Sequence, residues 1–303
     1  MQFRVLSLVS LVPLLGLTAT SAVAETQANF CPSQTPVRAM TYNIRLDTDA
    51  DGENRWANRR AMVAGQMRLF SPDIFGMQEV QPNQKAEVAQ DLSEYFILGG
   101  GRDDGADKGE ASPLGVKRSH WKVESHGQFW LSPTPDKGGK AWDANHPRVA
   151  TWAHLRSAKG RTRILAINTH FDHIGKIARL ESAKQIAKWA TANRKTGEYV
   201  VLMGDFNTTA DSAPFAALTA TGGKLAFKNS RDLSATPPAG PPGTFNAFDY
   251  NRRDPAAIDH ILVGPNIAVT QHVVVEQTVS GRLPSDHYPV IADLALGACK
   301  SKK

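Results

Sequence analysis

Apolar residues recur along this chain in short runs separated by polar turns, and most runs carry the two-residue alternation of strands rather than a helical period. Val37 to Ile44 alternates toward a first strand that ends at Tyr42-Asn43. Trp56, Val63, Met67 and Phe70 then recur at helical spacing and stop before Ser71-Pro72, which predicts an amphipathic helix with a core-facing stripe. Asp73 to Val80 reads as a strand, Pro82 to Leu92 as a short helix, Tyr95 to Leu98 as a strand and Gly99 to Gly109 as a flexible, Asp-rich loop. Ser112 to Leu131 has the pattern of a hairpin, and a Pro/Gly-rich loop follows from Ser132 to Gly139. Val149 to Leu155 and Arg163 to Asn168 are two more strands, and Ile177 to Trp189 is a helix with Ile177, Leu180, Ile186 and Trp189 toward the core. Tyr199 to Met203, all apolar, β-branched or aromatic, predicts a strand buried on both faces. Pro214 to Leu218 is helical, Ala235 to Gly243 a Pro-rich loop, and Ile258 to Val263, Ile267 to Val275 and Tyr288 to Leu296 are strands. Strands outnumber helices and short turns join them. That order suits one α+β domain, two packed mixed sheets with helices outside.

The first residues stand apart from this pattern. Arg4 gives a positive start, Val5 to Leu17 are mostly apolar, and Ala22-Val23-Ala24 has the small residues of a cleavage site. Residues 1–24 therefore read as a signal peptide, with 25–303 the mature domain, secreted or periplasmic. The apolar stretch is too short to span a bilayer comfortably, and no later segment is long and apolar enough, so no stable membrane insertion is expected. Hydrophobic residues make up 41% of the chain and charged residues 21%, as in ordinary globular proteins. A net charge of +6 suits a polyanionic substrate without requiring one. Two cysteines, Cys31 and Cys299, lie near opposite ends; outside the cytoplasm they are either bridged or two free thiols. Asp47-Thr48-Asp49-Ala50-Asp51-Gly52 imitates the start of a calcium loop, but its twelfth position is Asn58 and no helix precedes it, so a polar turn is expected.

The candidate chemistry sits where apolar runs end. Asn43, Glu79, His170, Asp205, Asn207, Asp259, Asp286 and His287 each close or follow such a run, and each is a metal-binding or proton-transfer type. A lone carboxylate such as Glu79 is costly to bury without a cation, a hydrogen-bond partner or an exposed rim. One such position is unremarkable; so many at strand ends are not explained by packing.

These residues lie in Thr41-Tyr42-Asn43-Ile44-Arg45, Gln78-Glu79-Val80, Asn168-Thr169-His170, Gly204-Asp205-Phe206-Asn207, Ile258-Asp259-His260 and Ser285-Asp286-His287. In type and order the set resembles the endonuclease/exonuclease/phosphatase superfamily, which includes deoxyribonuclease I and the deadenylases. The resemblance implies a four-layer αββα sandwich, a Mg2+ or Mn2+ cofactor and hydrolysis of phosphoesters. Carried over position by position, it makes Glu79 the main metal ligand, with Asn43 beside it and Asp286 as an additional acidic ligand. Asp205 would orient or deprotonate the attacking water, and Asn207 would hold a phosphate oxygen. His287, steadied by Asp259, would donate to the phosphate or act as base. His170 would stabilise developing charge or protonate the leaving oxygen, paired with Glu110. Arg148 would clamp phosphate, with an ordinary surface ion pair as the alternative, and Asp172 and His173 would shape the pocket or, for Asp172, cap a helix.

Departures from the superfamily's branches narrow the substrate. Asn207-Thr208-Thr209 and Ala257-Ile258-Asp259-His260 differ from the inositol-polyphosphate phosphatases, and no aromatic pair serves a membrane-docking hairpin of the sphingomyelinase type. Trp142-Asp143 and Arg148-Val149-Ala150-Thr151-Trp152 look like secreted bacterial members near the deadenylase branch. The expectation is a monomeric, secreted, metal-dependent phosphodiesterase acting on nucleic acid. A phosphatase or phosphodiesterase on small molecules or lipid headgroups, and a non-catalytic binding protein on the same scaffold, are the alternatives.

Overall fold

A computed structural model describes residues 34–220 and 225–297; the signal-peptide reading and the Cys31–Cys299 question lie outside the described residues. The first sheet runs β11-β12-β1-β2-β4-β3. In it β1 (Thr35–Asn43) lies between β2 (Ile74–Gln78), which is parallel to it, and β12 (Val290–Leu296), which is antiparallel. The outer strands are β11 (Ile267–Val274) on one side and β4 (Leu114–Lys117) and β3 (Tyr95–Leu98) on the other. The second sheet runs β5-β6-β7-β8-β10-β9 and comprises β5 (Trp121–Trp130), β6 (Val149–Ser157), β7 (Arg163–His170), β8 (Glu198–Asp205), β10 (Asp259–Val263) and the two-residue β9 (Lys228–Asn229).

Alternation along the strands builds the layers. Val37 and Ala39 of β1 join Ile74, Leu114 and Val116 and meet Leu155, Ile164, Ala166, Val201 and Met203 of the other sheet. Met40 and Tyr42 face the opposite way, onto Val63 and Met67 of α1 (Trp56–Phe70) and Val88 of α2 (Pro82–Asp91). In the second sheet Leu165, Ile167, Val200 and Leu202 pack outward on Ala183 and Ile186 of α3 (Lys176–Asn193) and on Phe215 and Leu218 of α4 (Ala213–Thr219). A one-turn α5 (Ser230–Leu233) follows β9. The result is a four-layer αββα sandwich, as expected.

Three local expectations change, and the polar turn at Asp47–Gly52 gains a partner. Residues 112–131 form no hairpin: β4 pairs with β2 and β3, whereas β5 pairs with β6 in the other sheet. The turn between them is a crossover, because Trp121 buries in the core between the sheets. The loop from Gly99 is ordered rather than loose. Gly101, Arg102 and Asp103 donate backbone hydrogen bonds to Ala106, Glu110 and Lys108, and glycines supply the positive φ at 99, 105 and 109. Ile177 is exposed and Leu180 only half-buried, since α3 turns the small Ala178, Ser182, Ala183 and Ala190 inward with Ile186 and can then lie close to the sheet. In the Asp47–Gly52 segment Asp51 takes Arg45 as a bidentate partner.

The two sheets meet at a buried polar contact directly below the strand ends. Gln78 Nε2 of β2 donates to Asn168 Oδ1 of β7 at 2.7 Å, and Asn168 Nδ2 donates to the carbonyls of Met77 and Pro113. Gly76 makes room for it, because a Cβ there would lie 2.2 Å from Asn168 Oδ1. Asn168→Ala takes a donor from the Met77 and Pro113 carbonyls and an acceptor from Gln78 Nε2, leaving Pro113 the Met77 amide and Gln78 the Thr41 hydroxyl. It also opens a cavity, and a buried group left unpaired costs about 1–3 kcal/mol. Urea denaturation is expected to show a loss of about 3 kcal/mol or more; a loss below about 1 kcal/mol contradicts this reading of the contact.

Candidate active site

Three neighbouring strands of the second sheet end at one level. The parallel β7–β8 register sets His170 opposite Asp205, and the antiparallel β8–β10 register sets Asp259 opposite Asp205. The first sheet brings Asn43 at the end of β1 and Glu79 just after β2, where a left-handed backbone (φ 62) turns the Glu79 carboxylate onto the rim. Asp286 and His287 arrive on the loop before β12. Ser285 Oγ anchors that loop to the Asn43 carbonyl at 2.7 Å, and the fully buried Arg59 donates to the carbonyls of Pro284 and Ile44. Glu79, His170, Asp205, Asn207, Asp286 and His287 line one cavity of about 500 Å³, with Arg45, Arg102, Glu110, Arg148, His146, His173 and Phe245. A second cavity of about 620 Å³, lined by Arg38, Trp121 and Asp293, holds none of these residues.

Asp205, Asp259 and His287 lie together, with His287 hydrogen-bonded to Asp259 and within Coulomb reach of Asp205. His287 Nδ1 bonds Asp259 Oδ2 at 2.8 Å, Asp259 Oδ2 also accepts from Thr244 Oγ1 at 2.5 Å, and His287 Nε2 lies 3.9 Å from Asp205 Oδ2. Burial lowers the His287 imidazole, but the Asp259 charge and hydrogen bond, backed by Asp205 and Asp286, outweigh it and hold the ring well above its ordinary value. Burial and the facing Asp259 push Asp205 up to about 7 against the pull of His287. The trio thus keeps a proton near neutrality that isolated groups would have released. Among the described residues this is the one group of three acidic or histidine side chains spaced to hold an ion, with ligand atoms within 4.8 Å of one another. The Nδ1 bond to Asp259 leaves the other ring nitrogen of His287 facing Asp205, an arrangement suited to moving a proton.

The donors facing the other side suit a hard cation. Glu79, Asp205 and Asp286 present oxygen ligands only, and mutual repulsion of Asp286 and Glu79 adds to burial in raising Asp286. Asn43 does not present its oxygen: its Nδ2 donates to Glu79 Oε1 at 3.0 Å and Asp205 Oδ2 at 3.1 Å, while Oδ1 accepts from the Arg45 amide. As placed, Asn43 bridges two carboxylates through its amide nitrogen. Asn207 likewise departs from expectation. Both its amide hydrogens are engaged, by His170 Nε2 and the Phe171 carbonyl at 3.0 Å each, so it orients His170 and has none left for phosphate. Burial and the cations Arg148 and Arg102 hold His170 well below its ordinary value, and a neutral ring that accepts at Nε2 carries its proton on Nδ1. A neutral His170 is no proton donor to a leaving oxygen in the substrate-free protein. Nor is it hydrogen-bonded to Glu110, which takes both arms of Arg102 at 2.8 and 2.9 Å.

Arg148 is buried, not a surface residue. It donates to Asp172 Oδ2 at 3.3 Å and to His173 Nδ1 at 3.1 Å, beside the cavity. Asp172 lies beside the pocket and its Oδ1 accepts the amides of Ile174 and Gly175 in the turn before α3, but it does not cap the helix: the first-turn amides of Ile177 and Ala178 donate to Asp143. Arg45, Arg102 and Phe245 were not singled out by the strand-end pattern, because each sits on a loop. Arg45 closes the Thr41–Arg45 motif, and Arg102 stands as a cation within a glycine-rich, Asp-rich segment.

The model of the Endonuclease/Exonuclease/phosphatase family matches residues 40–287. A crystal structure of a protein of that family from Bacteroides thetaiotaomicron is 32% identical, with a TM-score of 0.82 over 88% of this chain and 99% of that one. The mannosyl-6-phosphatase of B. thetaiotaomicron VPI-5482 is 33% identical, with a TM-score of 0.79 over 85% of this chain and 99% of that one. An uncharacterized protein of Acanthamoeba polyphaga mimivirus is 25% identical over 198 residues, 52% of this chain and 29% of that relative's length.

The His287–Asp259 bond gives a direct expectation. The folded-state pKa of His287 lies above the ordinary value of about 6.5, so the ring should stay protonated as pH rises through 6.5 and release its proton only at higher pH. In NMR titrations Asp259→Asn should bring that release down by about one unit or more, because both the facing charge and the charge-assisted bond weaken. An unchanged titration contradicts the assignment.

Proposed function

Since the chain belongs to the endonuclease/exonuclease/phosphatase family, we propose that it is a divalent-metal-dependent phosphoesterase acting on a small phosphorylated molecule, a sugar phosphate first among them, rather than on nucleic acid. The observation that carries this reading is the shape of the site. The reacting groups lie in a cup of about 500 Å³, a volume suited to one small ligand. The ordered loop with Arg102 and Glu110 walls one side, with Arg148 and His173 beside it. The likeness to a mannosyl-6-phosphatase at 33% identity supports the same choice.

Glu79 and Asp286 would hold Mg2+ or Mn2+, with Asp205 beside them. When bound, the cation would withdraw charge from the phosphoryl oxygens. Asp205, near neutrality in its affinity for a proton, would take one from the attacking water. His287, held as imidazolium by Asp259, would donate to a phosphoryl oxygen. Arg148 and Arg102 would face the phosphate from the opposite wall, and the Arg102–Glu110 pair would meet the hydroxyls of the leaving group. Asn207 would keep His170 in place. Export by residues 1–24 belongs to the same reading.

A substrate panel tests it: sugar 6-phosphates, p-nitrophenyl phosphate, bis-p-nitrophenyl phosphate, DNA, RNA and sphingomyelin, each with Mg2+, Mn2+ or chelator. Sugar phosphates should give the highest kcat/KM, chelator should abolish it, and Glu79→Gln should lower it by about a thousandfold. Preferred cleavage of DNA or RNA would overturn the small-substrate reading. No turnover of any compound would overturn the enzyme itself.

A further inference from the structure

Arg45 stands beside the two carboxylates assigned to the cation, yet bonds neither. Its Nη1 is 3.8 Å from Glu79 Oε2 and its Nε is 3.9 Å from Asp286 Oδ2, beyond hydrogen-bond range but close enough for Coulomb attraction. Its hydrogen bonds go elsewhere. Nε and Nη2 donate to the two oxygens of Asp51, both at 2.9 Å, in the bidentate geometry that suits guanidinium best. The backbone is pinned as well. Arg45 adopts a left-handed φ of 58, its amide donates to Asn43 Oδ1, and its carbonyl accepts from Gln84 Nε2 at 2.8 Å. Asp51 lies in the short 3₁₀ turn Asp49–Asn54, which Gly52 kinks at φ 54.

We propose that Arg45 is a tethered counter-cation: it balances Glu79 and Asp286 until a divalent ion enters, and Asp51 holds it back far enough for that ion to displace it. This rests on the reading that Glu79 and Asp286 hold the metal. Without any cation beside them, the buried Asp286 and the half-buried Glu79 repel each other and weaken the fold. With an arginine hydrogen-bonded to both, the ion would have to break those bonds before binding. The Asp51 tether sets a position between these extremes, and Arg45 is thereby a positioning residue for metal affinity.

The test measures Mn2+ binding to the full chain by calorimetry and by electron paramagnetic resonance of free Mn2+. Arg45→Gln should lower Kd about tenfold, and Asp51→Asn should raise it about tenfold because the freed guanidinium closes on the carboxylates. Arg45→Lys keeps the charge without the bidentate tether and should raise Kd, which keeps the test open if the glutamine variant folds poorly. In the Arg45→Gln background, Asp51→Asn should change Kd by less than about threefold, since its effect passes through Arg45. In chelator, Arg45→Gln should melt at a lower temperature than the parent and gain more from Mn2+. Unchanged or weaker binding by Arg45→Gln, or full additivity of the two substitutions, overturns the proposal. Should the parent bind no Mn2+, or Glu79→Gln bind it equally well, the metal reading itself falls; binding that Glu79→Gln abolishes and Arg45→Gln leaves alone sinks only the counter-cation.

Discussion

The buried contact between Gln78 and Asn168 is what makes a single site out of two sheets. Apolar packing between sheets tolerates sliding, because methyl and methylene groups are not directional. A hydrogen bond between two carboxamides, with the remaining donors of Asn168 fixed on the Met77 and Pro113 carbonyls, does not. Both residues lie one or two positions before groups of the site, Gln78 before Glu79 and Asn168 before His170. Distances across the cup, from the metal-facing carboxylates to the His170 wall, are therefore inherited from this contact.

Within the cup, charge is arranged in opposed walls. Glu79 and Asp286 face Arg45 on one side, and Arg102 and Arg148 stand on the other with Glu110 and Asp172 as their partners. Between the walls lie Asp205, His287 and Asp259, with His287 bonded to Asp259 at 2.8 Å and its other ring nitrogen 3.9 Å from Asp205. Left-handed backbone recurs here, at Arg45, Glu79 and Asn207, none of them glycine. Asn accepts that conformation readily, but Arg and Glu do so at an energetic cost, and such positions concentrate at functional sites because the surrounding bonds enforce them.

Much of this was readable from the chain alone, for a physical reason. Strand alternation reports which face of a residue is buried, so the layers followed from Val37, Ala39, Met40 and Tyr42. Polar types at the ends of apolar runs marked His170, Asp205 and Asp259 because a sheet edge is where such groups remain solvated. Alternation says nothing about which sheet a strand joins, and so residues 112–131 looked like a hairpin when they cross between sheets. Hydrogen-bond direction was equally hidden. Whether Asn43 and Asn207 present oxygen or N–H depends on Glu79, Asp205, His170 and Phe171, which are remote in sequence from at least one of them. Arg45 and Arg102 act through loops whose shape is set by Asp51 and by glycines, and no periodicity announces such partners.

The alignment of His170, Asp205 and Asp259 across three adjacent strands also separates correct folding from correct function. A slip of two residues between β7 and β8 would return every side chain to its own face and keep the oily interior satisfied. It would nevertheless carry His170 past Asp205 by about 6.6 Å, more than any proton can bridge. A molecule assembled in that way could look native to calorimetry and circular dichroism while being catalytically dead. Two features hold β7 and β8 in the working alignment: the Phe171 amide donates to the Asp205 carbonyl at 2.9 Å, and Gly204 lies under Thr169 where a Cβ would come within 2.2 Å of the carbonyl.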